Sequence, residues 1–129
     1  MILLDTHIVI WLAFEPDKLS KRAKQAIGAA RLQGELAIAG ITLLELAWLA
    51  GKGRVETTLC LESFLRQCAS RMTVLSTTAE IAARAVSLPD SYPKGPQDRL
   101  IGATALAEGM DLVTRDRLIK KSGAFPVIW

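Results

Sequence analysis

Short apolar runs alternate along the chain with longer stretches of helical period. Ile2–Leu4, Leu36–Ile38, Met72–Leu75, Leu112–Thr114 and Pro126–Ile128 are each brief, apolar and bounded by turn or charged residues, the pattern of buried strands. Between them, the segment from Ser20 to Gln33 sets Ala23, Ala26, Ile27 and Ala30 at helical spacing, and the segment from Leu59 to Ala69 does the same with charges opposite. Thr77 and Glu80 have capping-box spacing and open a helix running through Leu88; a further helix runs from Gln97 to Glu108 and is closed by Gly109. Strand–helix alternation of this kind predicts an α/β fold: a mostly parallel five-stranded sheet between helices, a three-layer α/β/α arrangement in one domain spanning residues 1–129.

The proline-rich stretch from Leu88 to Pro96 reads as an extended surface connection with a geometric task. The helix before it follows a strand, so it descends from the carboxyl edge of the sheet. Eight or so extended residues span about 26 Å, enough to climb back. The helix that begins near Gln97 therefore starts at the carboxyl edge.

That placement gathers four carboxylates. Asp5, in MILLDTHIVIWLAF, stands just past the first strand between two apolar runs; Glu45 lies in the first turns of the helix after the second strand; Asp98 opens the helix just placed; Asp116 follows the fourth strand. All four map to the edge where open α/β sheets form their ligand crevice. Taken singly, each has an ordinary role: Asp5 or Thr6 as an N-cap, Thr42 with Glu45 as a capping box, Asp98 at the positive end of a helix dipole, Asp116 as the cap of a short last helix. Taken together, they form a self-repelling cluster that a cation would relieve. The donors are oxygens, and the only histidine is His7. Such a set favours Mg²⁺ or Mn²⁺ over zinc and suits metal-assisted hydrolysis of a phosphodiester. Cys60 and Cys68 lie within one predicted helix, too far apart for an unstrained disulfide, and read as buried apolar thiols.

Composition adds limits. The chain has 129 residues, of which half are hydrophobic and 5% aromatic, as suits a globular domain with an aliphatic core. Its net charge of +3 permits a polyanionic substrate without requiring one. The longest apolar run, Ile8 to Phe14, falls far short of the ~20 residues of a membrane span, and no signal-peptide pattern precedes it, so a cytoplasmic protein with no membrane partner is expected.

The motifs resemble those of PIN-domain ribonucleases and, within them, the VapC toxins of bacterial type II toxin–antitoxin systems. The match is carried by Leu-Leu-Asp-Thr-His-Ile-Val-Ile-Trp at 3 to 11, Thr-Leu-Leu-Glu at 42 to 45, Asp-Arg-Leu-Ile-Gly-Ala-Thr-Ala-Leu-Ala at 98 to 107 and Leu-Val-Thr-Arg-Asp at 112 to 116, in order along essentially the whole chain. The resemblance implies an endoribonuclease whose Asp5, Glu45, Asp98 and Asp116 bind one or two Mg²⁺ or Mn²⁺ ions, with Thr6 and Thr114 as supporting hydroxyls. Many relatives carry a further acidic residue where Gly95 stands, which bears on the number of ions. The resemblance also implies an RNA substrate, a cognate antitoxin and a homodimer. The nearly all-apolar segment from Ile41 to Ala50, with Ile8 to Phe14, is the surface expected to meet those partners.

Arg99, Arg115 and Arg117 flank the quartet and are candidates to grip RNA phosphates, with solvated charge-balancing arginines as the alternative. His7 reads as a helix-start packing residue, and Trp11 and Trp48 as core or interface. A signalling receiver domain has similar length and also uses acidic residues with Mg²⁺. It needs an aspartate directly after the third strand, where this chain has Ser-Thr-Thr. The standing alternative is a non-catalytic or autoinhibited module that acts by binding a partner protein.

Overall fold

A computed structural model describes residues 1–53 and 57–129. Five strands, β1 (Ile2–Leu4), β2 (Leu36–Ala39), β3 (Thr73–Leu75), β4 (Asp111–Val113) and β5 (Val127–Ile128), form one sheet in the order β3-β2-β1-β4-β5, and every pairing is parallel. Helices α1 (Thr6–Phe14), α2 (Lys21–Gln33), α3 (Gly40–Gly51), α4 (Leu61–Ala69), α5 (Ala79–Ser87), α6 (Pro96–Glu108) and α7 (Arg117–Ser122) make the connections. The chain winds outward from β1 through β2 to β3, then returns to lay β4 on the other side of β1. The strand order thus reverses between β1 and β4, the position at which open α/β sheets place a ligand crevice beyond the carboxyl ends of the strands.

The two sheet faces bury different residues because alternate side chains point to opposite sides. Leu4, Leu36, Ile38 and Val113 pack with Ile8, Ile27 and Leu46 on one face; Leu3, Ala37, Ala39 and Leu112 pack with Ile101, Ala105 and Ile119 on the other. Helix α5 lies outside α6, joined through Ile81, Ala85 and Ala103. The three-layer α/β/α expectation therefore holds.

Local chemistry explains the element ends. The Ser20 hydroxyl accepts from Ala23 N at 3.1 Å to start α2. Gly109, at φ 63°, ends α6 in a left-handed turn that suits glycine and lets the chain enter β4 at once. At the start of α5 the cap is Thr78, not Thr77: its hydroxyl accepts from Ile81 N, and Glu80 turns outward to pair with Arg84.

Four expectations are corrected. Strand β3 is not buried, because it forms a sheet edge, with Thr73 and Val74 exposed. The proline-rich connection is not confined to the surface: Leu88 and Tyr92 turn inward and join the core around Ile101. Thr42 and Glu45 do not form a capping box, since α3 begins at Gly40 with Ala39 at its cap and both residues lie inside the helix. Cys60 is exposed at the cap of α4, not buried, while Cys68 is half-buried inside that helix.

Among the described residues no helix is long and apolar enough to cross a membrane. The apolar helix α3 leaves Leu44 and Trp48 open to solvent, and α1 leaves Phe14 so.

Candidate active site

The site at the carboxyl ends of β1 and β4 is built from two aspartate-bearing turns that lie side by side. Leu4 pairs with Val113, and Asp5 N donates to Val113 O at 3.1 Å, so Asp5 and Thr114 face each other one step beyond the strands. Asp5 caps α1, its Oδ1 accepting from Thr6 N at 2.7 Å, while its Oδ2 accepts from Thr114 Oγ1 at 2.6 Å. Asp116 caps α7 through Oδ1, which accepts from Leu118 N and Ile119 N. Thr114 also accepts from Asp116 N at 3.1 Å, so one buried hydroxyl links the two turns.

Glu45 enters from α3. Its Oε1 accepts from the buried Thr6 hydroxyl at 2.7 Å, and Thr6 Oγ1 lies 3.2 Å from the equally buried Thr42 Oγ1. Thr42 is three residues before Glu45 and shares its helix face. That spacing is the signal by which it could be recognised as part of the site. Asp98 enters from the first turn of α6, close enough to Gly95 that a Cβ there would stand 3.2 Å from Asp98 Oδ2.

The electrostatics show that these carboxylates feel one another. Burial, then the charges of Asp5, Glu45 and Asp116, push the Asp98 carboxyl up to about 6. Burial and Asp5 also push Glu45 up, against the hydrogen bond from Thr6. Burial, with Asp5, Asp98 and Asp116, pushes the Tyr92 phenol upward, keeping it neutral and a donor. None of the four carboxylates has an ion-pair partner among the described residues. All-oxygen donors, a net negative crevice and the space beside Asp98 left by Gly95 fit a hard divalent cation. The side chains are close enough to perturb one another, yet among the described residues no three acidic, His or Cys groups surround a common point at ligating range.

The arginines divide. Arg99 is half-buried, and its guanidinium donates to Ala85 O and Leu88 O at 3.1 Å each and to Pro89 O at 3.4 Å. Three of its N–H groups thus tie the C-terminus of α5 to α6. Arg115 and Arg117 are exposed. Arg115 rests over the Trp11 ring, 5.9 Å from its centroid, with Lys18 at 5.8 Å and Trp129 beside it. His7 is exposed and leans toward Trp11, and it is near enough to Asp98 and Glu45 to favour their charged forms. Tyr92, the only tyrosine in the chain, carries no motif that marks it in the sequence; its hydroxyl donates to Asp98 O at 3.0 Å. An isolated aromatic in a polar, proline-rich stretch was the available sign.

A doubly wound parallel sheet with four carboxylates at its strand-order reversal defines a class, and residues 2–123 match the PIN domain. The chain belongs to the PIN-domain family. More narrowly, it is VapC-like: it is 44% identical over 119 residues to Ribonuclease VapC22 of Mycobacterium tuberculosis (strain ATCC 25618 / H37Rv), covering 92% of this chain and 89% of that protein. It is also similar to a solved toxin–antitoxin complex from Klebsiella pneumoniae, with 28% identity, a TM-score of 0.71 and coverage of 100% of this chain and 97% of that one. The fold recurs in VapBC2 from Rickettsia felis bound to a DNA fragment from its promoter, at 22% identity and a TM-score of 0.74, covering 98% of this chain and 97% of that one.

Proposed function

We propose that this chain is a Mg²⁺- or Mn²⁺-dependent endoribonuclease, the toxin of a type II toxin–antitoxin pair, which hydrolyses RNA phosphodiesters with Asp5, Glu45, Asp98 and Asp116 as metal ligands. The observation that carries the reading is the convergence of these four carboxylates, from four separate segments, on the β1/β4 edge with no ion-pair partner among the described residues. The 44% identity to a protein named a ribonuclease supports it.

A divalent ion held there supplies Lewis-acid polarisation of the phosphodiester and a nucleophile from water at neutral pH. The chain's own residues do the rest. Thr114 and Thr6 donate to Asp5 Oδ2 and Glu45 Oε1 and so fix the direction of the opposite lone pairs. The backbone amides of α7 hold Asp116 by Oδ1, and Oδ2 has no hydrogen bond among the described residues. Asp98, with neither carboxylate oxygen engaged by a hydrogen bond among the described residues, is the ligand whose side chain is freest to adjust. Arg115, braced on Trp11, and Arg117 offer charged donors to the phosphates flanking the scissile one.

The partners follow from the same reading. A cognate antitoxin covers exposed apolar surface on α1 and α3, where Phe14, Leu44 and Trp48 stand, and a second copy of the chain completes a homodimer. The similarity to the Klebsiella pneumoniae toxin–antitoxin complex supports the first.

Incubation of an unstructured RNA with the purified chain, with EDTA and with Mg²⁺ or Mn²⁺ restored, tests the activity. Cleavage that disappears with chelation and returns with either ion is expected. Cleavage indifferent to chelation, or none under any condition, contradicts the reading.

A further inference from the structure

The start of α6 presents a problem of support. Its N-cap is Gly95, which offers no side-chain cap, and the first-turn amides of a helix have no internal acceptors. Asp98 nevertheless stands in that first turn. Two side-chain donors tie the turn to its surroundings through carbonyl oxygens, leaving its amides as they are. Arg99 reaches back to the carbonyls at the end of α5, and Tyr92 approaches from the connection between the helices, donating its hydroxyl to Asp98 O at 3.0 Å.

Tyr92 reaches that carbonyl only because residue 102, one turn on, is glycine. A Cβ at Gly102 would overlap the Tyr92 hydroxyl oxygen and stand 2.6 Å from Cζ. The ring is 1% exposed, packs at 6.1 Å from Phe125, and is anchored at its own backbone by Tyr92 N donating to Pro89 O at 2.9 Å. In an α-helix the carbonyl of Asp98 already accepts from the amide of Gly102. The phenol is thus a second donor on the same oxygen, and it holds the rotation and axial position of the first turn.

We propose that Tyr92, seated in the notch opened by Gly102, is a positioning residue for the Asp98 carboxylate. The inference rests on Asp98 being a metal ligand, as proposed above. It assigns to the inter-helix connection, whose length and prolines otherwise look like mere linkage, the task of setting one corner of the site.

The test is Tyr92→Phe, which keeps the ring in its seat and deletes only the donor. Two readouts are taken on the full chain: amide hydrogen exchange, and Mn²⁺ affinity by water-proton relaxation. Exchange at residues 99–102 is expected to rise about fivefold, the order set by one neutral hydrogen bond, with the amides of β1 and β4 unchanged. The Mn²⁺ dissociation constant is expected to rise by a similar factor. A general structural role would instead speed exchange across the core. First-turn exchange within about twofold of wild type overturns the proposal. So does faster exchange with unaltered Mn²⁺ affinity. If the wild-type chain binds no Mn²⁺, the metal reading fails, and the exchange comparison decides the seat by itself.

Discussion

Thr114 donates to Asp5 across the seam between β1 and β4, Oγ1 to Oδ2 at 2.6 Å, joining residues 109 positions apart. The same buried hydroxyl accepts from Asp116 N. Thr114→Val keeps the shape and removes both bonds. A hydrogen bond to a charged group contributes about 1.5–3 kcal/mol, so a melting temperature several degrees lower is expected, with RNA cleavage reduced about tenfold or more. Thermal melts and single-turnover cleavage check both.

Asp98 gives a pH dependence with a definite sign. Its carboxyl moves from the ordinary 3.8 to about 6 on folding, so between those values the folded chain binds more protons than the unfolded one. Its contribution to stability is complete below the lower value and is lost as pH rises through the upper. Glu45, also pushed up, acts in the same direction. Without metal, the melting temperature is expected to rise as pH falls from about 7.5 to about 5, and Asp98→Asn is expected to flatten that slope. Saturating Mg²⁺ favours the charged carboxylates and should reverse the trend. A metal-free chain whose melting temperature falls over that interval contradicts the assignment.

Gly102→Ala sets two effects against each other. Helix propensity alone favours alanine by about 1 kcal/mol, but the new Cβ overlaps the Tyr92 hydroxyl in a buried site. Overpacking of this kind costs about 1–3 kcal/mol, so net destabilisation is expected in urea titrations. Stabilisation would show that the Tyr92 ring moves aside freely.

The arginines should separate by phenotype. Arg99→Ala removes three hydrogen bonds to carbonyls at the α5–α6 junction and is expected to lower the melting temperature by several degrees. Arg115→Ala removes an exposed side chain that rests on the half-buried Trp11 ring and is expected to change the melt by no more than about 2 °C while raising KM for RNA and weakening its salt dependence. Steady-state cleavage at two salt concentrations distinguishes them.

The five strands and their parallel sense were legible in the sequence because short apolar runs alternate with helical periods; their order across the sheet was not. The shared edge of the four carboxylates was legible because a parallel topology brings the ends of β1 and β4 and the starts of α3 and α6 to the same side. What stayed hidden depended on tertiary contacts that spacing does not carry. Thr77 and Thr78 compete for one cap, and only the packing of Ile81 decides between them. The surface reading of the proline-rich connection missed Tyr92, because its seat is made by a missing Cβ ten residues later. The hydrogen bonds from Arg99 to the end of α5 were equally out of reach of spacing, since they depend on how α5 packs against α6.

The central claim is that Asp5 holds a catalytic metal ion as well as capping α1. Asp5→Asn keeps a carbonyl oxygen to accept from Thr6 N, removes one charge from a repelling cluster, and takes away the acceptor that the Thr114 hydroxyl uses. The two stability effects oppose each other, so the metal-free melting temperature should stay within about 5 °C of wild type. Catalysis has no such compensation, because a neutral amide is a poor ligand for a hard cation. The most direct measurement is the rate of Mg²⁺-dependent RNA cleavage by Asp5→Asn beside wild type: a loss of about a hundredfold or more in a folded variant is the predicted result, and a rate near wild type would contradict the account.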